Sequence, residues 1–217
     1  MGIMGIMETK EILAWHFLRG DKKLGYGDNR VVTLGETVTV DPDKLNMCNF
    51  GLHGSKKILD ALKFVDWEKA IVCRVKLGGK IIEGVDKLVA SERTVLSWCE
   101  ADRILHEFAC RVAEYVLPIF EKEYPEDNRP RKVIEAKRLW LEGKISKEEL
   151  NAARYVGGDA VSAAVSAAVS AAAWYAARYA AWYAAWYAAR YAARDKYNSW
   201  LEEMVLENMM VGLSVNV

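Results

Sequence analysis

Between Ala160 and Arg194 the chain is built from four-residue repeats, and few folds can hold such a segment. Ala-Val-Ser-Ala occurs three times from Ala160, and then Trp174-Tyr-Ala-Ala opens a run of related units ending in Arg190-Tyr-Ala-Ala. The 35 residues hold 18 alanines and 8 aromatics, and their only charges are Arg178, Arg190 and Arg194. Alanine has the highest helix propensity, so a long Ala/Trp/Tyr-rich helix is expected. Four residues of α-helix turn through about 400°, so the tyrosine stripe drifts by about 40° per repeat. Such a helix shows aromatic edges to several neighbours in turn. Eight aromatics are too many for an exposed helix, so it is expected to be covered by other helices or by a second copy. A membrane span fits less well. Ala160 to Ala177 carries Ser162, Ser166 and Ser170, and valine is its only bulky apolar residue before Trp174.

The rest of the chain is patterned differently. Residues 8–95 read as β-rich. Ile12 to Leu18 is an apolar run of strand length, and Arg30–Leu34 and Glu36–Val40 alternate valine with threonine. Ala70 to Leu77 alternates Ile71, Cys73, Val75 and Leu77 with other residues, a strand with one buried face. Gly78-Gly79 is expected to turn it into a hairpin partner over 80–84. Lys56 to Phe64 reads as a short amphipathic helix capped by Ser55.

From Ser97 the period changes to steps of three and four, through Trp98, Ala101, Leu105, Phe108, Val112, Tyr115 and Ile119. Ser97 and Glu100 have capping-box spacing, so a helix is expected to begin there, with Cys99 and Cys110 both on it. Pro118 falls within it and is expected to kink it, because proline cannot donate to the carbonyl of Glu114, and the helix is expected to stop near Tyr124-Pro125. A second helix follows Asn128-Arg129-Pro130 and runs to Gly143. A third opens at the capping-box pair Ser146 and Glu149 and meets a break at Gly157-Gly158. The expected fold is α+β: a small β-rich domain over 1–95, then an α-helical bundle domain over 96–217.

Charge narrows the function classes. The chain of 217 residues has 30 basic and 30 acidic side chains, which argues against one dominant basic field for nucleic acid. Met1 to Met7 lacks a basic stretch and a long apolar core, so no secretory leader is expected. The four cysteines, Cys48, Cys73, Cys99 and Cys110, form no C-x-x-C pair. Reduced, buried thiols in a cytoplasmic protein are the expectation.

Three groups are candidates for chemistry or binding. Asn49-Phe-Gly-Leu-His53-Gly-Ser55 could serve as a nucleophile or nucleotide loop of a transferase, but no matched base, metal set or phosphate loop accompanies His53 and Ser55. His16, His53 and His106 have no metal-ligand spacing among them, and neither metal nor cofactor is expected. Asp127, Arg129 and Arg131 could hold an anion at a helix start; alternatively Asp127 and Asn128 cap the helix while the arginines pair with Glu121, Glu123 or Glu135. Trp174, Arg178, Trp182, Trp186, Arg190 and Arg194 could stack a nucleotide signal or pack as core. Glu100, Asp102, Glu107, Glu114, Glu121 and Glu123 give the first long helix an acidic face.

The run from His106-Glu-Phe-Ala-Cys110 through Val116-Leu-Pro118-Ile-Phe120-Glu, Asp127-Asn-Arg129-Pro130-Arg131 and Ile134-Glu135-Ala-Lys-Arg-Leu-Trp140 resembles the helical domain of bacterial "putative immunity proteins". Tyr197-Asn-Ser-Trp-Leu-Glu-Glu-Met204 is similar to the ending of its phage and prophage members. Asn49-Phe-Gly-Leu-His53-Gly-Ser and Asp86-Lys-Leu-Val-Ala-Ser91 resemble a small uncharacterised domain that accompanies it in phage proteins. The resemblance implies a non-enzymatic protein that binds and blocks a protein partner. A nucleotide-sequestering protein and a transferase are the alternatives, and homo-oligomerisation is expected from the aromatic helix.

Overall fold

The computed structural model describes residues 11–25, 28–47, 49–64, 69–153 and 193–209. Of the repeat tract only Ala193 and Arg194 fall inside these limits. Trp174, Arg178, Trp182, Trp186 and Arg190, and the break expected at Gly157-Gly158, lie outside the described residues. The molecule is an antiparallel sheet followed by helices, an α+β fold. It divides into two compact units, residues 1–104 with 198–217 and residues 105–197.

The first unit is built on two 13-residue strands. We number the strands β1 (Ile12–Leu18), β2 (Thr37–Thr39), β3 (Leu52–Gly54), β4 (Ile71–Glu83) and β5 (Leu88–Glu100). β4 pairs with β1 on one edge and β5 on the other, while β3 and β2 pair with successive stretches of the far edge of β5. Ser55, just after β3, exchanges two backbone hydrogen bonds of 2.8 Å with Trp15 of β1. The strands β1, β4, β5 and β3 therefore close on one another. Closure removes unpaired backbone from the edge of β1, where it would otherwise need another partner.

Leu77, Val75 and Cys73 of β4 share one face, since side chains alternate along a strand. They lie opposite Ile12, Ala14 and His16 of β1. Leu77, Val75, Cys73 and Ala14 join Leu18, Leu52, Leu88, Ala90 and Val95 in one buried cluster, with Ile12 packed against it.

The glycine pair Gly78-Gly79 does not turn the chain. β4 runs straight through it, and the reversal falls at 84–87 instead, where the Gly84 N–H donates to the Lys87 carbonyl at 2.8 Å. Gly79 has φ +65, and a Cβ there would lie 2.2 Å from Ser91 Oγ. That hydroxyl accepts from the Lys80 N–H at 2.9 Å. The pair makes a bulge, and the register shifts between Gly78 and Ile81.

The helix expected from Ser97 is strand as far as Glu100. Ser97 pairs with Arg74 and Glu100 with Ile71, so neither caps a helix, and Cys99 lies on β5. Residue 95, where the composition suggests a boundary, is inside β5. The first long helix, α2, spans Asp102–Glu123. Asp102 accepts at 3.1 Å from the backbone N–H groups of both Lys69 and Ala70, which ties the helix start to the start of β4. Lys56–Phe64 holds only one α-turn, α1 (Ile58–Ala61), and a 3-10 turn. Lys57 occupies the cap position of α1 without a side-chain bond, so Ser55 is a sheet residue and not the expected cap.

The last described helix, over 193–209, completes the first unit with its C-terminal part. Leu201, Val205 and Met209 are buried. Glu202 accepts from the indole N–H of the fully buried Trp15 at 3.1 Å, and Asn198 accepts from the Leu59 N–H at 3.2 Å.

In the second unit, α2 continues past Pro118 and is followed by α3 (Arg129–Leu141). Leu105, Cys110 and Leu117 are buried on α2, whereas Tyr115 and Ile119 of the expected stripe are exposed, Ile119 at 70%. Apolar residues encircle much of this helix, so spacing alone does not single out the covered side. The pair Ser146 and Glu149 forms a reciprocal cap: the Ser146 N–H donates to Glu149 at 2.7 Å and the Glu149 N–H to Ser146 Oγ at 3.1 Å. A helix over 147–153 follows.

Candidate functional site

A cleft of about 480 Å³ opens in the first unit beside β1, β3 and the turn at Phe64. Three of its lining residues are His16, His53 and Arg93. Arg93 lies opposite Leu77, and His16 lies opposite Cys73. Leu77 and Cys73 are four apart on β4, so both polar side chains fall on the same face as the aliphatic core. His53 reaches the cleft from β3. Gly51 starts that approach with φ +131, and a Cβ there would strike Val89 at 2.2 Å.

Arg93 is 3% exposed. Its Nη1 donates to the His53 carbonyl at 2.9 Å, and its Nε is buried without a partner among the described residues. Burial lowers its pKa from the ordinary value to about 10, so it remains a cation at neutral pH. A buried guanidinium usually sits on a carboxylate. Among the described residues the cleft has one carboxylate, Asp28, and Arg30 grips it through contacts of 2.7 to 3.1 Å. His53 Nε2 is the second buried polar atom without a partner. Burial, then Arg93 and Lys87, push the His53 pKa down, against a backbone hydrogen bond at Gly51. Burial, then Arg93 and His53, hold His16 well below the usual imidazole range. Both rings are therefore neutral in a field set by Arg93.

Ser55 is 2% exposed, and its backbone is committed to the bridge with Trp15. Cys73 is a thiol pushed up to about 12 by burial, and burial likewise raises Cys99 to about 11. Neither has thiolate character at neutral pH, and both are free, as is Cys110.

The second candidate group is resolved into ion pairs. Asp127 accepts from the Arg129 N–H at 3.1 Å and from its guanidinium at 2.9 and 2.7 Å. Asn128 is at the cap position of α3 but makes no side-chain cap bond, so the cap expected there is not formed. Arg131 forks onto Glu121 with two bonds of 2.7 Å, and Arg138 onto Glu114 at 2.7 and 2.6 Å. Three members of the expected acidic face, Asp102, Glu114 and Glu121, are thus engaged within the protein. The rings of His106 and Trp140 stand nearly perpendicular, with centroids 5.1 Å apart. Among the described residues no group of three or more His, Cys, Asp or Glu is gathered for a metal ion. No described helix is long and apolar enough to cross a membrane. Of the Trp/Arg series only Arg194 is described.

Arg93 is the site residue that motif reading misses, since Glu92-Arg93-Thr94 looks like an exposed strand. Leu88, Ala90 and Thr94 are buried as well, so alternation along β5 does not single it out.

These features define an α+β protein with a cation-lined cleft in its sheet and a pair of ion-paired helices. Residues 22–107 match the model of a family described as Domain of unknown function (DUF7666). Residues 96–199 match the model of the family described as Imm-5 like putative immunity protein. No curated protein and no solved structure matches the chain.

Proposed function

We propose that this chain is a non-enzymatic, immunity-like protein of phage or mobile-element origin that binds a protein partner and blocks it. The observation that carries the reading is the match of residues 96–199 to the immunity-type family. The surface of α2 and α3 is suited to such a role. Tyr115, Ile119 and Leu139 are exposed at 48%, 70% and 39%, and the same two helices carry the surface ion pairs Arg131–Glu121 and Arg138–Glu114. Exposed apolar anchors are a usual part of a protein interface. The proposed setting is the cytoplasm, and self-association is part of the proposal through the aromatic repeat.

The test is affinity capture from a bacterial host followed by a functional assay of the captured protein. The expected result is one stoichiometric partner whose activity the purified chain suppresses at equimolar amounts. Ile119→Glu should release that partner while leaving the unfolding temperature unchanged. Capture of nothing stoichiometric, or of a protein whose activity is unaltered, would sink the reading.

A further inference from the structure

The cleft of the first unit shows two departures from ordinary burial in one place. Arg93 is an enclosed cation offset only by the His53 carbonyl, and its Nε has no partner among the described residues. His53 Nε2, also buried and without a partner, lines the same cleft. A buried polar atom left without a bond costs stability, and the two residues that carry these atoms line one cleft, so the cleft is a place where a ligand could supply a missing bond to the Arg93 donor. The sign of the ligand follows from the lining. Lys23 and Lys87 add cations at the rim, and the lining carboxylate, Asp28, is already held by Arg30. The shape follows from the walls. Phe50 and Phe64 give the cleft aromatic sides, and about 480 Å³ is the size of a small organic molecule.

We propose that this cleft binds a small organic anion, with its phosphate or carboxylate on Arg93 and, once the ring takes up a proton with the anion, on His53 Nε2–H, and its apolar body against Phe50 and Phe64. The site lies wholly in the first unit and does not depend on the partner-blocking role of the helices.

Thermal unfolding with phenyl phosphate, benzoate and phenol tests the site and separates the two anion types. One of the two anions should raise the unfolding temperature of the wild-type protein saturably, by about 3 °C or more at about 10 mM, while phenol does nothing. Arg93→Met should fold and lose the shift, because a flexible apolar side chain replaces a buried charge that lacks a carboxylate. His53→Ala should weaken the response. Absence of a saturable shift with both anions, or an Arg93→Met protein that responds like wild type, would overturn the proposal. A measurement on the wild-type protein alone stands beside the variants. The imidazole nitrogen resonances of His53 should move on adding the stabilising anion, and resonances that stay fixed for both anions would equally overturn it.

Discussion

In the α2–α3 pair, Arg129, Arg131 and Arg138 each grip a carboxylate through two guanidinium nitrogens, at the surface and within 2.9 Å. In the sheet, Arg93 is enclosed and has only a carbonyl for company among the described residues. The first arrangement is cheap to form, because both ions keep some water. It adds little stability and a good deal of geometry, fixing α3 against α2 at two points. The second is costly, and the surrounding aliphatic cluster must carry it. A fold keeps an exposed pair whether or not anything binds there. An enclosed cation without a counter-ion needs another reason.

Three changes probe that contrast. The largest effect is expected in the sheet core that holds Arg93 in place. Leu77 is fully buried opposite both Ile12 and Arg93, so Leu77→Ala should lower the unfolding free energy by about 3 kcal/mol in denaturant titration. A loss below about 1 kcal/mol would mean that the sheet does not depend on this layer.

Acid is the second probe. His16 has a pKa well below its unfolded value near 6.5, chiefly because it is buried. Above that value both states are neutral and His16 adds no pH dependence. As pH falls below it, the unfolded chain takes up a proton that the folded one refuses, so stability falls. His16→Gln should flatten the fall in unfolding temperature between about pH 6.5 and 5. An unchanged slope would show that other groups set the acid response.

The smallest effect belongs to the helices. Arg138→Ala breaks the fork onto Glu114, whose side chains are 38% and 43% exposed, and should cost about 0.5 kcal/mol. A loss several times larger would mean that the helical pair relies on its ions as heavily as the sheet relies on its core.

Local chemistry made parts of this molecule readable in advance. β1, the alternating stretch of β4, the helix after Pro130 and the Ser146–Glu149 cap all depend on neighbours within a few residues. The misread segments depend on distant ones. Leu96 is an extra residue in β5, between the pairs Val75–Val95 and Arg74–Ser97. It puts Val95 and Trp98 three apart on one face, which imitates the step of a helix. Gly78-Gly79 could make either a turn or a bulge, and the Ser91 hydroxyl across the sheet decides which. The candidate cleft was half legible. The His53 loop stood out by its glycines, whereas the role of Arg93 required knowing that β3 and β1 close over it.

The first unit is also discontinuous in the chain. Its strands end at Glu100, yet the helix that shields Trp15 reaches its covering residues only at Leu201, Val205 and Met209. A ribosome therefore makes the sheet roughly a hundred residues before it makes its cover. During that interval the indole of Trp15 and the adjoining apolar surface lack their final neighbour, and the nascent protein is open to mispairing or to a chaperone. For the same reason, a fragment cut at residue 107, where the first family match ends, would keep all five strands and lose their lid.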